Sequence, residues 1–389
     1  MRKIFDTIVR LAALRAQHTV HSASSGINDH LQTLTGFGSN PGALAAKCYL
    51  PTGLPEGAPL VVVLHGCTQN AAGYDHHSGW SQLAAEAGFA LLYPEQQRAN
   101  NPNLCFNWFQ PADTRRDMGE ALSIRQMMEA MVLAHGLDRK RIFITGLSAG
   151  GAMAAVMLAT YPEVFAGGAI IAGLPYGSAT TVPQAFDRMR GQGGPSQRDL
   201  QQAVHSAADH PGPWPRISIW QGSADQTVAP SNAEAIAAQW LGVHGLDKKR
   251  PTHSETAGRL SRQVWCNATG ETMIEINSIV GMGHGTPIGN DDLGAPGPFM
   301  LDAGISSTRE TARFWEIAAM EKNGSTISRS AMPAGQRPPP LPQMPDTAKA
   351  KTVFPELTAI QQAPCDTSPE ATGIRKIIED ALRAAGLMR

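Results

Sequence analysis

The sequence predicts an α/β protein, a mostly parallel central sheet flanked by helices. Two observations carry that expectation. From about residue 43 onward, short apolar runs of strand length alternate with longer stretches at helical spacing, the pattern of parallel strands joined by crossover helices. One strand-to-helix junction, Gly146-Leu147-Ser148-Ala149-Gly150-Gly151, is dense in glycine, which collects where a backbone bends sharply or approaches a ligand.

Composition narrows the function classes. With 389 residues, 42% of them hydrophobic and 17% charged, the chain is too apolar for general disorder and long enough to bury a core without staples. The 32 basic and 33 acidic residues leave a net charge of −1, so the electrostatic footprint of a nucleic-acid binder is missing. No apolar run approaches the ~18 residues that a membrane span needs. The five cysteines, Cys48, Cys67, Cys105, Cys266 and Cys365, form no CxxC or Cys/His metal spacing, and they leave the redox compartment open. Oligomeric state is equally open.

Taken in order, Met1-Arg2-Lys3 opens like a signal peptide, but Asp6 and Arg10 interrupt the stretch that should be uncharged. Residues 4–14 therefore predict a short amphipathic helix within a polar lead-in over 1–42. The main domain is expected over 43–322, with strands at 43–50, 60–64, 89–93, 141–145, 164–172, 216–220, 262–266 and 272–279. Each is a short apolar or alternating run bounded by turn residues. Helical spacing occupies 117–134, 149–159 and 233–241, and residues 267–271 predict the turn of an antiparallel hairpin. Ser307 followed by Glu310 is a capping-box signature for a helix reaching about residue 320. Two stretches break the alternation. Residues 174–215, with Gly191, Gly193, Gly194 and several prolines, predict an insertion over one end of the sheet with one helix at 199–206. Residues 323–367, with Pro338-Pro339-Pro340, predict a Pro-rich linker, and 368–389 a terminal amphipathic helix.

As a bare pattern, Gly-x-Ser-x-Gly at 146–150 is weak. Its context is specific: a strand precedes it and a helix follows, the strand–turn–helix that raises a serine hydroxyl above a sheet. Serine is a poor nucleophile at neutral pH and needs a base, which in turn needs an orienting acid. On such a fold the chain order is serine, acid, histidine, each after a strand. Asp225, on the turn that follows the apolar run ending at Trp220, fits the acid; Asp209, Asp247 and Asp291 follow no convincing strand. His284, set between glycines after the 272–279 strand, fits the base better than His244 or His253. The oxyanion of a tetrahedral intermediate needs preorganised donors, worth about 3 kcal/mol each. Ala149 N–H should be one. The other should come from His65-Gly66-Cys67-Thr68-Gln69, with Cys67 first and Thr68 second, while the His65 side chain serves to fix that loop. No metal or cofactor is implied.

Together, Leu64-His65-Gly66-Cys67-Thr68-Gln69, Cys105-Phe106-Asn107-Trp108-Phe109, Gly146-Leu147-Ser148-Ala149-Gly150, Gly222-Ser223-Ala224-Asp225-Gln226-Thr227-Val228 and Gly283-His284-Gly285 resemble the poly(3-hydroxybutyrate) depolymerase-type esterases. These are relatives of the feruloyl and acetylxylan esterases in the α/β-hydrolase superfamily. The resemblance spans about residues 43–320. It implies an α/β-hydrolase fold, a Ser148-His284-Asp225 triad and an oxyanion N–H from Cys67. It also implies a Cys67–Cys105 disulfide, with two buried free thiols as the alternative. Trp108 is placed where such enzymes line an acyl groove, though it suits core packing as well; Thr68 is a second substrate-binding candidate. Tyr74 and Trp265 suit core or rim packing better. Extracellular depolymerases carry a cleavable signal and often a polymer-binding domain. The resemblance thus implies an extracellular enzyme, and the interrupted N-terminus leaves the cytoplasm as the alternative. The expected activity is hydrolysis of hydroxyalkanoate esters through an acyl-enzyme. The alternatives are a feruloyl or acetylxylan-type carbohydrate esterase, an acyltransferase, or a non-catalytic binding scaffold.

Overall fold

Leu60-Val61-Val62-Val63-Leu64 is buried at all five positions, which a strand achieves only where both faces of its sheet are covered. In the computed structural model, which describes residues 30–318, this strand is β3 (Leu60–Leu64). Leu60, Val62 and Leu64 face one core, and Val61 and Val63 face the other, as the two-residue period of a strand requires.

The remaining strands are β1 (Gln32–Thr33), β2 (Ala45–Tyr49), β4 (Ala90–Glu95), β5 (Ile142–Leu147), β6 (Gly167–Ile171), β7 (Arg216–Gly222), β8 (His253–Ala257), β9 (Leu260–Cys266) and β10 (Thr272–Ile279). They form one sheet in the order β1-β2-β4-β3-β5-β6-β7-β10-β9-β8. The six strands from β4 to β10 in that order run parallel, and antiparallel pairs close both edges. β11 (Thr286–Ile288) and β12 (Met300–Asp302) make a separate two-stranded parallel ladder. The first core is covered by α3 (Gly119–His135), α4 (Ala149–Thr160) and α7 (Ser231–Val243), the second by α1 (Ala71–Ser78), α2 (Trp80–Ala87) and α8 (Ser307–Phe314). Because the central strands are parallel, their C-terminal ends share one edge, and every predicted site residue leaves from it.

The architecture is the α/β-hydrolase type, and the hairpin at 267–271 closes as expected, with Asn267 N–H donating to Glu271 O at 2.9 Å. Several details differ. α1 and α2 are short helices separated by Gly79 at φ +74°, so neither fills the long window that helical periodicity needs. β8 is exposed throughout, leaving no apolar alternation to read. Residues 30–42, expected as irregular lead-in, supply β1 and bury Leu31. The 174–215 insertion is the crossover from β6 to β7, and it carries two helices, α5 (Val182–Met189) and α6 (Gln197–Ala207). The overlooked α5 starts from Thr181, whose side chain caps Gln184 N–H, with proline in its first turn. The final cap is Ser306, which accepts from Arg309 N–H at 3.2 Å. Ser307 instead donates to Pro287 O at 2.9 Å, and α8 ends at Phe314. The helices expected at 4–14 and 368–389 and the linker at 323–367 lie outside the described residues.

Candidate active site

Ser148 links β5 to α4 at φ +57° and ψ −116°. A non-glycine residue there is strained, and such strain persists where the surroundings over-determine it. Here Ser148 N–H donates to Ile171 O at 2.9 Å. At Gly150, a Cβ would strike the carbonyls of Leu64 and His65, so the start of α4 packs directly on the end of β3. The serine itself is half-exposed.

β7 ends in the turn that carries Asp225, which is 4% exposed. Its Oδ1 accepts from Thr227 and Val228 N–H, both at 2.9 Å, and its Oδ2 from Gln221 Nε2 at 3.0 Å and His284 Nδ1 at 2.8 Å. With Nδ1–H facing the carboxylate, Nε2 is the imidazole nitrogen that can accept a proton. The acid and base loops are laced together. Ser223 N–H donates to Ile279 O at 3.0 Å, Ala224 N–H to Met282 O at 3.0 Å, and Gly281 N–H to Ser223 Oγ at 2.9 Å. The rivals are occupied elsewhere: His244 Nε2 meets Pro215 O at 3.1 Å, His253 lies on exposed β8, and Asp291 accepts from Arg309 at 2.8 Å.

The loop after β3 is held by its histidine. His65 Nδ1 donates to Gly66 O at 2.8 Å, and Nε2 accepts from Gln96 N–H at 3.1 Å. Burial lowers the His65 pKa to about 4, so this ring is a neutral brace. Gln96 Nε2 in turn donates to Cys105 O at 3.0 Å and to Glu120 Oε1 at 2.6 Å. Glu120, buried at the start of α3, also accepts from Asn107 N–H at 2.8 Å. Burial pushes its carboxyl up to about 8, against the pull of these donors. Cys67 and Cys105 are joined as a disulfide, while Cys48 and Cys266 are free thiols.

Thr68 N–H, the second oxyanion candidate, donates to Asn103 O at 2.8 Å. Among the described residues, Cys67 N–H has no such partner. Ala149 N–H opens α4, where a helix leaves its first amides unpaired. Thr68, next to Cys67 in the chain, is exposed. Trp108 lies mainly in the core, 9% exposed and edge-on to Phe109. Tyr74 and Trp265 are buried core residues, with Tyr74 OH meeting Thr286 Oγ1 at 3.1 Å and Trp265 Nε1 donating to Asp247 O at 3.1 Å.

Gln96, Glu120 and Phe299 escape sequence reasoning. Only tertiary burial distinguishes the two polar residues, and Phe299 reaches His284 from a loop with no readable motif.

Comparison with known proteins agrees with this architecture. Residues 44–264 match the family described as Esterase PHB depolymerase. Poly(3-hydroxyalkanoate) depolymerase C of Paucimonas lemoignei is 43% identical over 319 residues, covering 80% of this chain and 76% of that protein. Acetylxylan esterase A of Aspergillus oryzae is 31% identical over 273 residues, covering 67% of this chain and 86% of that protein. The solved acetyl xylan esterase from Aspergillus awamori aligns with a TM-score of 0.64 at 25% identity, covering 74% of this chain and 99% of that one. The chain belongs to the PHB depolymerase esterase family and is a carboxylic ester hydrolase of α/β-hydrolase fold.

Proposed function

We propose that this chain hydrolyses hydroxyalkanoate esters of the 3-hydroxybutyrate type, using Ser148 as nucleophile, His284 as base and Asp225 as its orienting acid. The observation that carries the reading is the 2.8 Å contact between His284 Nδ1 and Asp225 Oδ2, on the same sheet edge as the strained Ser148. Ser148 Oγ attacks the ester carbonyl and passes its proton to His284 Nε2. The C–O bond to the alcohol then breaks as that proton moves to the departing oxygen. Water, deprotonated by His284, adds to the acyl-enzyme, and Ser148 leaves with the proton restored. Cys67 and Ala149 N–H hold the negative oxygen in both steps. Thr68, and Trp108 through its exposed fraction, border the acyl side.

The hydroxyalkanoate preference is supported by the 43% identical poly(3-hydroxyalkanoate) depolymerase C. Acetyl esters of polysaccharide are the second reading, supported by the acetylxylan esterases. A disulfide at the site supports work in an oxidising compartment outside the cytosol. Among the described residues, no helix is long and apolar enough to cross a membrane.

The test is a hydrolysis panel of hydroxybutyrate oligomers, p-nitrophenyl acyl esters, methyl ferulate and acetylated xylan. It is paired with fluorophosphonate labelling of wild type and S148A. Preferred turnover of the oligomers, with labelling lost in S148A, is expected. Preference for acetylated xylan moves the substrate to the second reading, and transfer to added alcohol in place of hydrolysis indicates an acyltransferase. Labelling that survives S148A removes the proposed nucleophile.

A further inference from the structure

Phe299 has a backbone conformation that its side chain disfavours. It is the third residue of a turn closed by Met300 N–H donating to Gly297 O at 3.0 Å, and its φ is +62°. Turns with this φ at the third place normally put glycine or asparagine there, and Pro298 suits the second place.

The surroundings hold the turn from several sides. Gly294 N–H donates to Gln82 Oε1 at 2.8 Å, Ala295 N–H to His77 O at 3.1 Å, and His77 Nδ1 meets Ala295 O at 3.0 Å. Pro298 O accepts from Gln69 Nε2 at 3.2 Å, and Gln69 Oε1 accepts from Gly66 N–H at 2.8 Å. Phe299 O accepts from Thr286 N–H at 2.8 Å. A Cβ on Gly285 would sit 2.6 Å from that same carbonyl. One turn is therefore fastened both to the oxyanion loop and to the residues directly after His284.

This fastening places a ring. Phe299 is half-buried and stands edge-on to His284, with centroids 6.1 Å apart and planes at 79°. An imidazole that returns its proton to the departing oxygen must face the alcohol half of the ester. A ring packed against that imidazole is therefore a candidate to border the alcohol half of the ester.

We propose that Phe299, presented by the 294–300 loop, is the apolar wall of the leaving-alcohol subsite and limits it to compact aliphatic alcohols. The proposal rests on the triad assigned above to Ser148, Asp225 and His284.

The experiment measures kcat/KM for wild type, F299A and F299G on two ester series. One keeps acetate and enlarges the alcohol from methyl through butyl to benzyl. The other keeps methanol and lengthens the acyl group from acetyl to hexanoyl. F299G also relieves the unfavourable φ, which covers the case in which F299A folds poorly. The expected result is a rise of about tenfold in the benzyl-to-methyl ratio, with the hexanoyl-to-acetyl ratio changed by less than about twofold. A proportional loss on every ester, or an acyl ratio that moves with the alcohol ratio, overturns the proposal. Fluorophosphonate labelling of wild type and S148A runs alongside. If labelling is absent from wild type or survives S148A, the triad reading fails and takes the proposal with it. Normal labelling with an unchanged alcohol ratio refutes the role of Phe299 alone.

Discussion

Asp225 and His284, 59 residues apart in sequence, meet through a 2.8 Å hydrogen bond from Nδ1 to Oδ2, and three further donors fix the carboxylate. Its orientation is set before any substrate arrives, and so is the imidazole tautomer. Asp225→Asn preserves the shape but can offer an N–H where His284 needs an acceptor. We expect kcat to fall by roughly 10⁴-fold with KM little changed. Steady-state kinetics on a p-nitrophenyl ester measures this, and a loss below about tenfold would remove Asp225 as the acid.

Gly222 is the point where the backbones of the acid and base loops come closest to a missing side chain. A Cβ on Gly222 would meet Met282 O and Gly283 O, both backbone atoms with little freedom to yield. Gly222→Ala should therefore push the His284 loop away from Ser148 without deleting any functional group. Misplacement of this kind costs about 10²-fold in kcat. Retained circular dichroism with kcat unchanged would show that the loop relaxes around the methyl.

His65 makes stability depend on pH. Its pKa is lowered from 6.5 to about 4 by burial, so the unfolded chain takes up this proton before the folded one does. The stability it contributes is present above about 6.5 and is lost as pH falls toward about 4, by up to a few kcal/mol. Protonation also places two hydrogens between His65 Nε2 and Gln96 N–H, loosening the loop that carries Cys67. Thermal unfolding across that window should show one proton more in the slope for wild type than for His65→Gln.

Cys67 forms a disulfide with Cys105, and its amide is the oxyanion donor in the proposed mechanism. The Cys67–Cys105 bridge spans a sequence separation of 38, and the chain-entropy account of such a loop gives about 4 kcal/mol of stabilisation. Cys105→Ser should lower Tm by several degrees and reduce kcat more than it raises KM, because the oxyanion amide is less firmly placed. Activity on a short acyl ester at a temperature well below Tm separates the two effects. Unchanged kcat there would assign the bridge to stability alone.

Much of the site is legible in sequence because its chemistry is local. Ser148 sits between a strand and a helix, and Asp225 and His284 follow strand-length apolar runs. A parallel sheet then delivers the ends of those runs to one edge. β3, β5 and α4 are legible as continuous apolar runs because they are buried on every side, and α3 because its buried residues recur at helical spacing. α1, α2, α5 and β8 are too short or too polar for such a repeat.

The supporting groups were decided only by the tertiary structure. Glu120 reads in sequence as an ordinary helix-start carboxylate, and becomes a buried anchor because Gln96 and Asn107 arrive from another loop. The proposal of Cys67 over Thr68 as oxyanion donor rests on Asn103 O occupying the Thr68 amide. Phe299 reaches His284 only because its turn is pinned to Gln69 and Thr286. The residue types of the proposed triad and their chain order follow from local pattern. Which amides stay open and which ring borders the imidazole follow from contacts between distant loops, and such contacts leave no period in the chain.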